Sequence, residues 1–392
     1  MNLRLLEKFI HQGRLTVIGP DGRERAFGEG EPRASWRLNR PSTFPRILRN
    51  PPLNLGETYM DGEWDVGEGT LHDLLTILRI NLEPEIPRRG WPRPLRAVLR
   101  SWNGLAASRR NVSHHYDLDE PLFRACLDAD MHYSCAYFTA PLASLEDAQA
   151  AKCRHIAAKL NLEPGQKVLD IGSGWGSLAM HLAEQHGVAV TGLTLSAEQL
   201  RVAREAARQR GLAGKVEFRL EDYREHAGTY DRIVSVGMFE HVGKPRYAAF
   251  FDTLAASLAT DGVALLHTIA SKAPPEPLNP WIRRHIFPGG HIPSLSEIAP
   301  FVERAGLMSA DIEVLRTHYA LTLKAWSQRF QHARQQFVDS KGERFCRMWE
   351  FYLAISQTAF EVGGLVVLQW QLTKHNQAAP ITRDYLHPSN LD

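Results

Sequence analysis

From about Ser144 onward the chain alternates amphipathic stretches with uniformly apolar ones. SLEDAQAAKCRHIAAKL has helical spacing, with Ser144 placed to cap its first turn. KVLDIG is a short unbroken apolar run, the pattern of a strand buried on both faces. SLAMHLAEQHG then reads as a helix closed by Gly187, VAVTGLTL as a strand, and AEQLRVAREAARQRG as a helix opened by Ser196 and stopped by Gly211. KVEFRLED, YDRIVSVG and GVALLHTIA supply three more strands. Such alternation predicts an α/β fold, Rossmann-like, with a mostly parallel sheet and helices on both faces. MSADIEVL and LVVLQWQLT read as further strands, separated by two long helices built on LTLKAWSQRF and ERFCRMWEFYLAISQTAF.

Residues 1–87 have a different texture. Short alternating pieces such as RLTVIGPDG sit among polar turns, followed by the helical TLHDLLTILRINL, and together they predict a small α+β domain. Arg88 to Arg110 carries seven Arg and no acid. Within it Leu95, Leu99, Trp102 and Leu105 share one helical face while Arg96 and Arg100 point elsewhere. A basic amphipathic helix bearing Trp is drawn to an anionic lipid surface; the competing reading is a linker whose apolar face packs on the protein's own body. The expected division is a small N-terminal domain over 1–87, with a role in lipid contact, a basic linker over 88–113, a catalytic domain over 114–376 and a tail over 377–392.

Composition narrows the class without naming a function. The 392 residues are 44% hydrophobic and 23% charged with a net charge of +2, which excludes wholesale disorder and does not call for nucleic acid. Four cysteines, Cys126, Cys135, Cys153 and Cys346, show no metal-ligand or CxxC spacing, so a reduced cytoplasmic setting is expected and no metal. The N-terminus does not read as a signal peptide, and no run approaches the ~20 apolar residues of a membrane span. The expectation is a soluble protein, peripheral at the inner face of the membrane.

Candidate chemistry begins with VLDIGSGWG. It sets Asp170 at a strand tip and then Gly172, Gly174 and Gly176, where glycine lets the backbone turn tightly and approach a ligand beside a helix N-terminus. The acid precedes the glycines and the spacing is G-x-G-x-G, which resembles the first motif of class I S-adenosylmethionine methyltransferases rather than a dinucleotide fingerprint. The second strand ends without an acid, leaving Thr194 and Gln199 as polar groups there. Gln199 has two readings, a cofactor contact and the third helical position of a capping box opened by Ser196. After the third strand, Asp222 and Tyr223 suit an adenine amino group and its ring.

MHYSCAYF concentrates Tyr133, Ser134, Cys135 and further aromatics in one segment. Together with YDLDEPLFRACLDAD, DRIVSVGMFEHVG, LLHTI, WIRRHIFPGGHIPSL and HYALTLKAWSQRF it resembles the cyclopropane-fatty-acyl-phospholipid synthases and, less fully, the mycolic acid cyclopropane synthases. The resemblance runs from about His114 to Gln371. It implies methyl transfer from S-adenosylmethionine to a cis double bond of an unsaturated phospholipid acyl chain, followed by proton loss and ring closure. An alkene is a weak nucleophile, so such a site holds it against the sulfonium and excludes water. Tyr133, Tyr137, Phe138, Trp281 and Phe287 are candidates to face the cation, with core packing as the plainer account of each.

The resemblance also implies a bound bicarbonate as the base, held by Glu240, His267, Tyr319 and main-chain groups of Cys135 and Ile269, with Tyr133 and Ser134 near the cofactor. Either one of the carboxyl–bicarbonate pair stays protonated or His267 carries charge. Expected partners are the phospholipid, an anionic lipid surface and a second copy in a homodimer. Two departures stand out: Ser356 occupies a late-helix position where some relatives carry Cys, and Asp119-Glu120 replaces Gly-Asn. A fatty-acyl C-methyltransferase stopping at a methylene or methyl branch is the alternative.

Overall fold

The computed structural model describes residues 3–82, 120–274 and 277–386. The basic segment 88–113 and Asp119 lie outside the described residues. Along the chain, α1 (Arg4–Phe9), β1 (Gln12–Ile18), β2 (Glu24–Phe27), β3 (Glu29–Leu38), α2 (Thr43–Arg49), α3 (Pro51–Met60), β4 (Trp64–Val66) and α4 (Leu71–Leu82) come first. Then follow α5 (Glu120–Cys126), α6 (Leu145–Leu160), β5 (Lys167–Ile171), α7 (Ser177–His186), β6 (Ala189–Thr194), α8 (Ala197–Gln209), β7 (Val216–Leu220) and β8 (Tyr230–Val236). The remainder is α9 (Tyr247–Ser257), β9 (Leu258–Ser271), α10 (Pro280–His285), α11 (Leu295–Arg304), β10 (Met308–Leu315), α12 (His318–Lys341), α13 (Glu343–Glu361) and β11 (Leu365–Thr373).

Two compact units are interleaved along this order: Met1–Arg93, Pro277–Pro288 and Tyr319–Leu365 form one, and Pro94–Glu276, Gly289–His318 and Val366–Asp392 the other. The first holds a four-stranded sheet, β2-β1-β3-β4, in which only β1 and β3 run parallel. Alternation along β1 turns Leu15 and Val17 into the core. The sequence places α13 in the catalytic stretch, yet its side chains bind the leading region. Arg347 donates to the Trp64 carbonyl at 2.6 Å and to Asp65 at 2.8 Å, Arg79 donates to Thr358 at 3.1 Å, and His72 meets Glu361 at 2.7 Å. Trp281 of α10 is fully buried in the same unit, and a Cβ at Gly56 would sit 2.5 Å from its Nε1. Its ring lies edge-on to Phe351 at 4.7 Å. Packing accounts for Trp281.

The second unit contains a seven-stranded sheet ordered β10-β11-β9-β8-β5-β6-β7. β5 to β9 are parallel and β10 is antiparallel to β11. One apolar layer, including Ile156, Leu182 and Phe218, covers one face, and another, including Phe250, Phe251 and Val302, covers the other. The chain runs outward from β5 through β6 to β7, then returns to place β8 on β5's other side. Ligands in such sheets bind beyond the carboxyl ends of strands at this reversal. Local signals held here: Ser144 and Ser196 accept from the first-turn amides of Asp147 and Gln199, and Gly187 and Gly211 take left-handed φ of 65° and 70°. The stretch read as a tail is tied down as far as Leu386, since Arg383 donates to Asp311 and Tyr385 pairs with Gln371 at 3.0 Å.

Candidate active site

Beyond the ends of β5 and β8 lies a cleft of about 1160 Å³ including its open mouth. All its lining residues belong to the second unit. β5 delivers Asp170 into it, almost fully buried, with Oδ2 lacking any hydrogen-bond partner. Burial pushes this carboxyl up to about 7, and the charge opposing that rise is Lys152. The following turn is held against β6 by the Gly172 and Ser173 amides, which donate to the Leu193 carbonyl at 3.0 and 2.8 Å. Gly172 has φ 87°, and a Cβ there would meet Met238 at 2.7 Å. Gly174 also lines the cleft. Gly176 does not: it caps α7 with φ 85°, where a Cβ would strike Phe218 at 2.5 Å, so its role is packing the helix onto the sheet.

Thr194 and Gln199 both reach the cleft. Ser196 supplies only half of the capping box. Its amide donates to Thr194 Oγ1 at 3.2 Å, and the Gln199 side chain, rather than turning back to that amide, accepts from Thr194 at 3.0 Å. The Gln199 amide nitrogen is thereby set beside Gly174. Asp222 and Tyr223 line the same wall. Asp222 is already gripped by a two-pronged Arg224, at 2.8 and 2.7 Å, which fixes the carboxylate's orientation. Tyr223 stands edge-on to Phe250 at 5.4 Å, and burial raises its phenol. Tyr133 and Ser134 complete the opposite side, with Tyr133 edge-on to Phe123 at 4.9 Å. The unpartnered Asp170 oxygen, the glycine backbone and the helix start at Ser177 fit a nucleoside bearing polar and cationic groups.

The second cluster of expected residues is assembled differently from the reading. Glu240 occupies a short 3₁₀ turn after β8, buried, and its Oε1 accepts from the Ile269 amide at 2.5 Å. The Ile269 main chain was expected to serve the bicarbonate; its amide is engaged by Glu240. The other carboxyl oxygen, Oε2, has no partner, and burial raises the Glu240 carboxyl above its usual range. His267 lies within the buried run of β9 and receives the Gln369 amide on Nδ1 at 3.2 Å, which leaves its proton on Nε2. Burial, aided by Lys152 and Lys159, pushes the imidazole down to about 3. Burial thus favours the neutral form of both His267 and Glu240. Cys135 is fully buried and its thiol points at the Ala136 carbonyl. Tyr319 is counted with the first unit, where its ring packs on Trp326 at 5.9 Å and Phe360 at 4.6 Å.

Of the aromatic candidates, Tyr137 has both faces taken, by His155 at 4.3 Å and His318 at 4.9 Å. It has no open face for a cation. Phe287 lies in the first unit against Tyr352 at 5.9 Å, and Ser356 sits partly buried on α13. The sequence reading missed Lys152, His132, Trp175 and Arg224, all of which line the cleft. His132 is held by Asp128 at 2.8 Å on Nδ1 and faces the Cys153 sulfur at 3.2 Å on Nε2. The available signal was a lysine on the apolar side of the helix SLEDAQAAKCRHIAAKL, where a charge needs a reason.

The family described as mycolic acid cyclopropane synthetase matches residues 104–370. The chain belongs to this family. Residues 5–83 match a further domain described only as of unknown function. The chain is 40% identical over 345 residues, 88% of its length and 88% of the other's, to the cyclopropane-fatty-acyl-phospholipid synthase of Escherichia coli (strain K12). It is 37% identical to the tuberculostearic acid methyltransferase UfaA1 of Mycobacterium tuberculosis, covering 95% of this chain and 90% of that one. Among solved structures, the mycolic acid cyclopropane synthase CmaA1 complexed with SAH and CTAB aligns with a TM-score of 0.64 at 34% identity, covering 67% of this chain and 97% of that one. This member of the synthetase family thus has the class I methyltransferase fold and is an S-adenosylmethionine-dependent transferase.

Proposed function

We propose that this chain is a cyclopropane-fatty-acyl-phospholipid synthase that uses bicarbonate as its base. The observation that carries the reading is the presence, within one unit, of the Asp170 cleft and of a buried Glu240 and His267 whose neutral forms burial favours, in a chain similar to the Escherichia coli synthase over most of both lengths. S-adenosylmethionine, when bound, supplies an electrophilic methyl carbon for the cis double bond of an acyl chain. Asp170, Gly172, Gly174, Thr194 and Gln199 hold and orient it, with Asp222 and Tyr223 towards the adenine. A small oxyanion would be received by the unpartnered Oε2 side of Glu240 and by Nε2–H of His267, the more readily as burial favours the neutral form of each. The Cys135 main chain completes that grip. Its proton acceptance would close the ring without a protein nucleophile, consistent with Ser356 in the late helix.

Among the described residues no helix is long and apolar enough to cross a membrane. Access to phospholipid therefore falls to surface contact at the inner leaflet, for which Arg96 and Arg100 in the basic segment are the candidates. The test is incubation with labelled S-adenosylmethionine and unsaturated phospholipid vesicles, with and without bicarbonate, followed by proton NMR of the lipid. Upfield ring protons that depend on bicarbonate are expected. Vinylidene or branched-methyl signals in their place would support the second reading, a fatty-acyl C-methyltransferase, which the similarity to the tuberculostearic acid methyltransferase favours.

A further inference from the structure

Lys152 is unusual for its position. It lies on the inner face of α6 and is fully buried, yet it lines the cleft. Its Nζ donates to Ser134 Oγ at 3.0 Å. A buried ammonium is stable only where acceptors or negative charges compensate it. The charged and titratable groups facing it are Asp128, Cys153, Cys135 and Asp170, with His132 and His267 also within electrostatic reach. Asp128 is committed to His132, through its ring at 2.8 Å and its amide at 2.9 Å, and Cys153 is committed to the same ring. Asp170 differs, because its Oδ2 is buried and unpartnered inside the cleft.

We propose that Lys152 is a positioning residue: anchored on Ser134, its ammonium favours the ionised form of Asp170, so that the carboxylate can accept from the ammonium of the cofactor's amino-acid part. This rests on the reading of the cleft as the S-adenosylmethionine site. Without the lysine, burial alone acts on Asp170 and the carboxyl takes up a proton at a higher pH. The same ammonium also discourages protonation of His267. One side chain therefore biases the cofactor cleft and the base site in opposite charge directions, towards an anionic carboxylate and a neutral imidazole.

The experiment is calorimetric titration with S-adenosylhomocysteine from pH 5.5 to 8.5, accompanied by thermal melting of each variant. For the unaltered protein, affinity falls as pH drops through the Asp170 value near 7. In Lys152→Met the midpoint of that fall moves up by about one pH unit or more, and the affinities converge with the unaltered protein at the alkaline end. Ser134→Ala, which releases the ammonium, gives a smaller shift in the same direction and decides the matter should Lys152→Met fail to fold. Asp170→Asn abolishes the pH dependence. An unchanged midpoint in the lysine variant, or an equal loss of affinity at every pH, overturns the proposal and leaves Lys152 a packing residue. No binding by the unaltered protein at any pH overturns the cofactor reading instead.

Discussion

Glu240→Gln separates chemistry from structure at this site. The glutamine carbonyl can keep the 2.5 Å bond from the Ile269 amide, and its NH₂ replaces an oxygen that has no partner to lose. Because burial favours the neutral carboxyl, an uncharged isostere changes stability little, by less than about 1 kcal/mol, the net worth of a typical hydrogen bond. Glu240→Ala, by contrast, strands a buried amide and costs about 1–3 kcal/mol. What glutamine cannot do is exchange a proton with the base. A positioned acid–base group contributes roughly 10²–10⁴ in rate, or about 3–5 kcal/mol of barrier. The assay is methyl transfer from labelled S-adenosylmethionine to unsaturated phospholipid vesicles, beside S-adenosylhomocysteine affinity and melting temperature. Turnover should collapse while affinity and melting hold. Affinity falling in step with turnover, or near-normal turnover, would refute the reasoning and return Glu240 to a purely architectural role.

Gln369→Leu removes the donor that fixes the His267 tautomer at 3.2 Å; turnover should fall by about tenfold or more with cofactor affinity unchanged, as for other supporting-shell changes. Gly176→Ala combines left-handed backbone with a Cβ 2.5 Å from Phe218 and should cost about 2–4 kcal/mol in urea unfolding. The Asp170 carboxyl has a folded value near 7, above its unfolded one, so the folded state binds the extra proton and the unaltered protein gains stability as pH falls from 8 to 5. Asp170→Asn lacks that gain, so its stability advantage at pH 8 should shrink by about 2–3 kcal/mol by pH 5; a pH-independent difference would show the carboxyl to be unshifted. Charge reversal at Arg96 and Arg100 should weaken binding to anionic vesicles at low salt, measured by sedimentation with the vesicles.

The strands β5 to β9, the caps at Ser144 and Ser196 and the stops at Gly187 and Gly211 were legible in the chain, because each depends on apolar period or on hydrogen bonds a few residues apart. Motif order was equally local, and it pointed to the family. Residue roles were less so. Gln199 has two readings, capping partner and cofactor contact, until its oxygen is seen to accept from Thr194, and Tyr137 divides between facing a cation and packing until two imidazoles are seen stacked on it. Lys152 stands out in the helix pattern, but its role shows only when Asp170 and Ser134 arrive from other segments. The membership of α13 in the first unit follows from Arg347 and Arg79, whose partners lie more than 250 residues away in the chain or on the far side of it. Sequence determined which elements form, since helical hydrogen bonds and caps close within a few residues and a buried strand shows as a local apolar run. Tertiary structure decided which groups are charged, because protonation depends on the burial and facing charges that distant segments bring together.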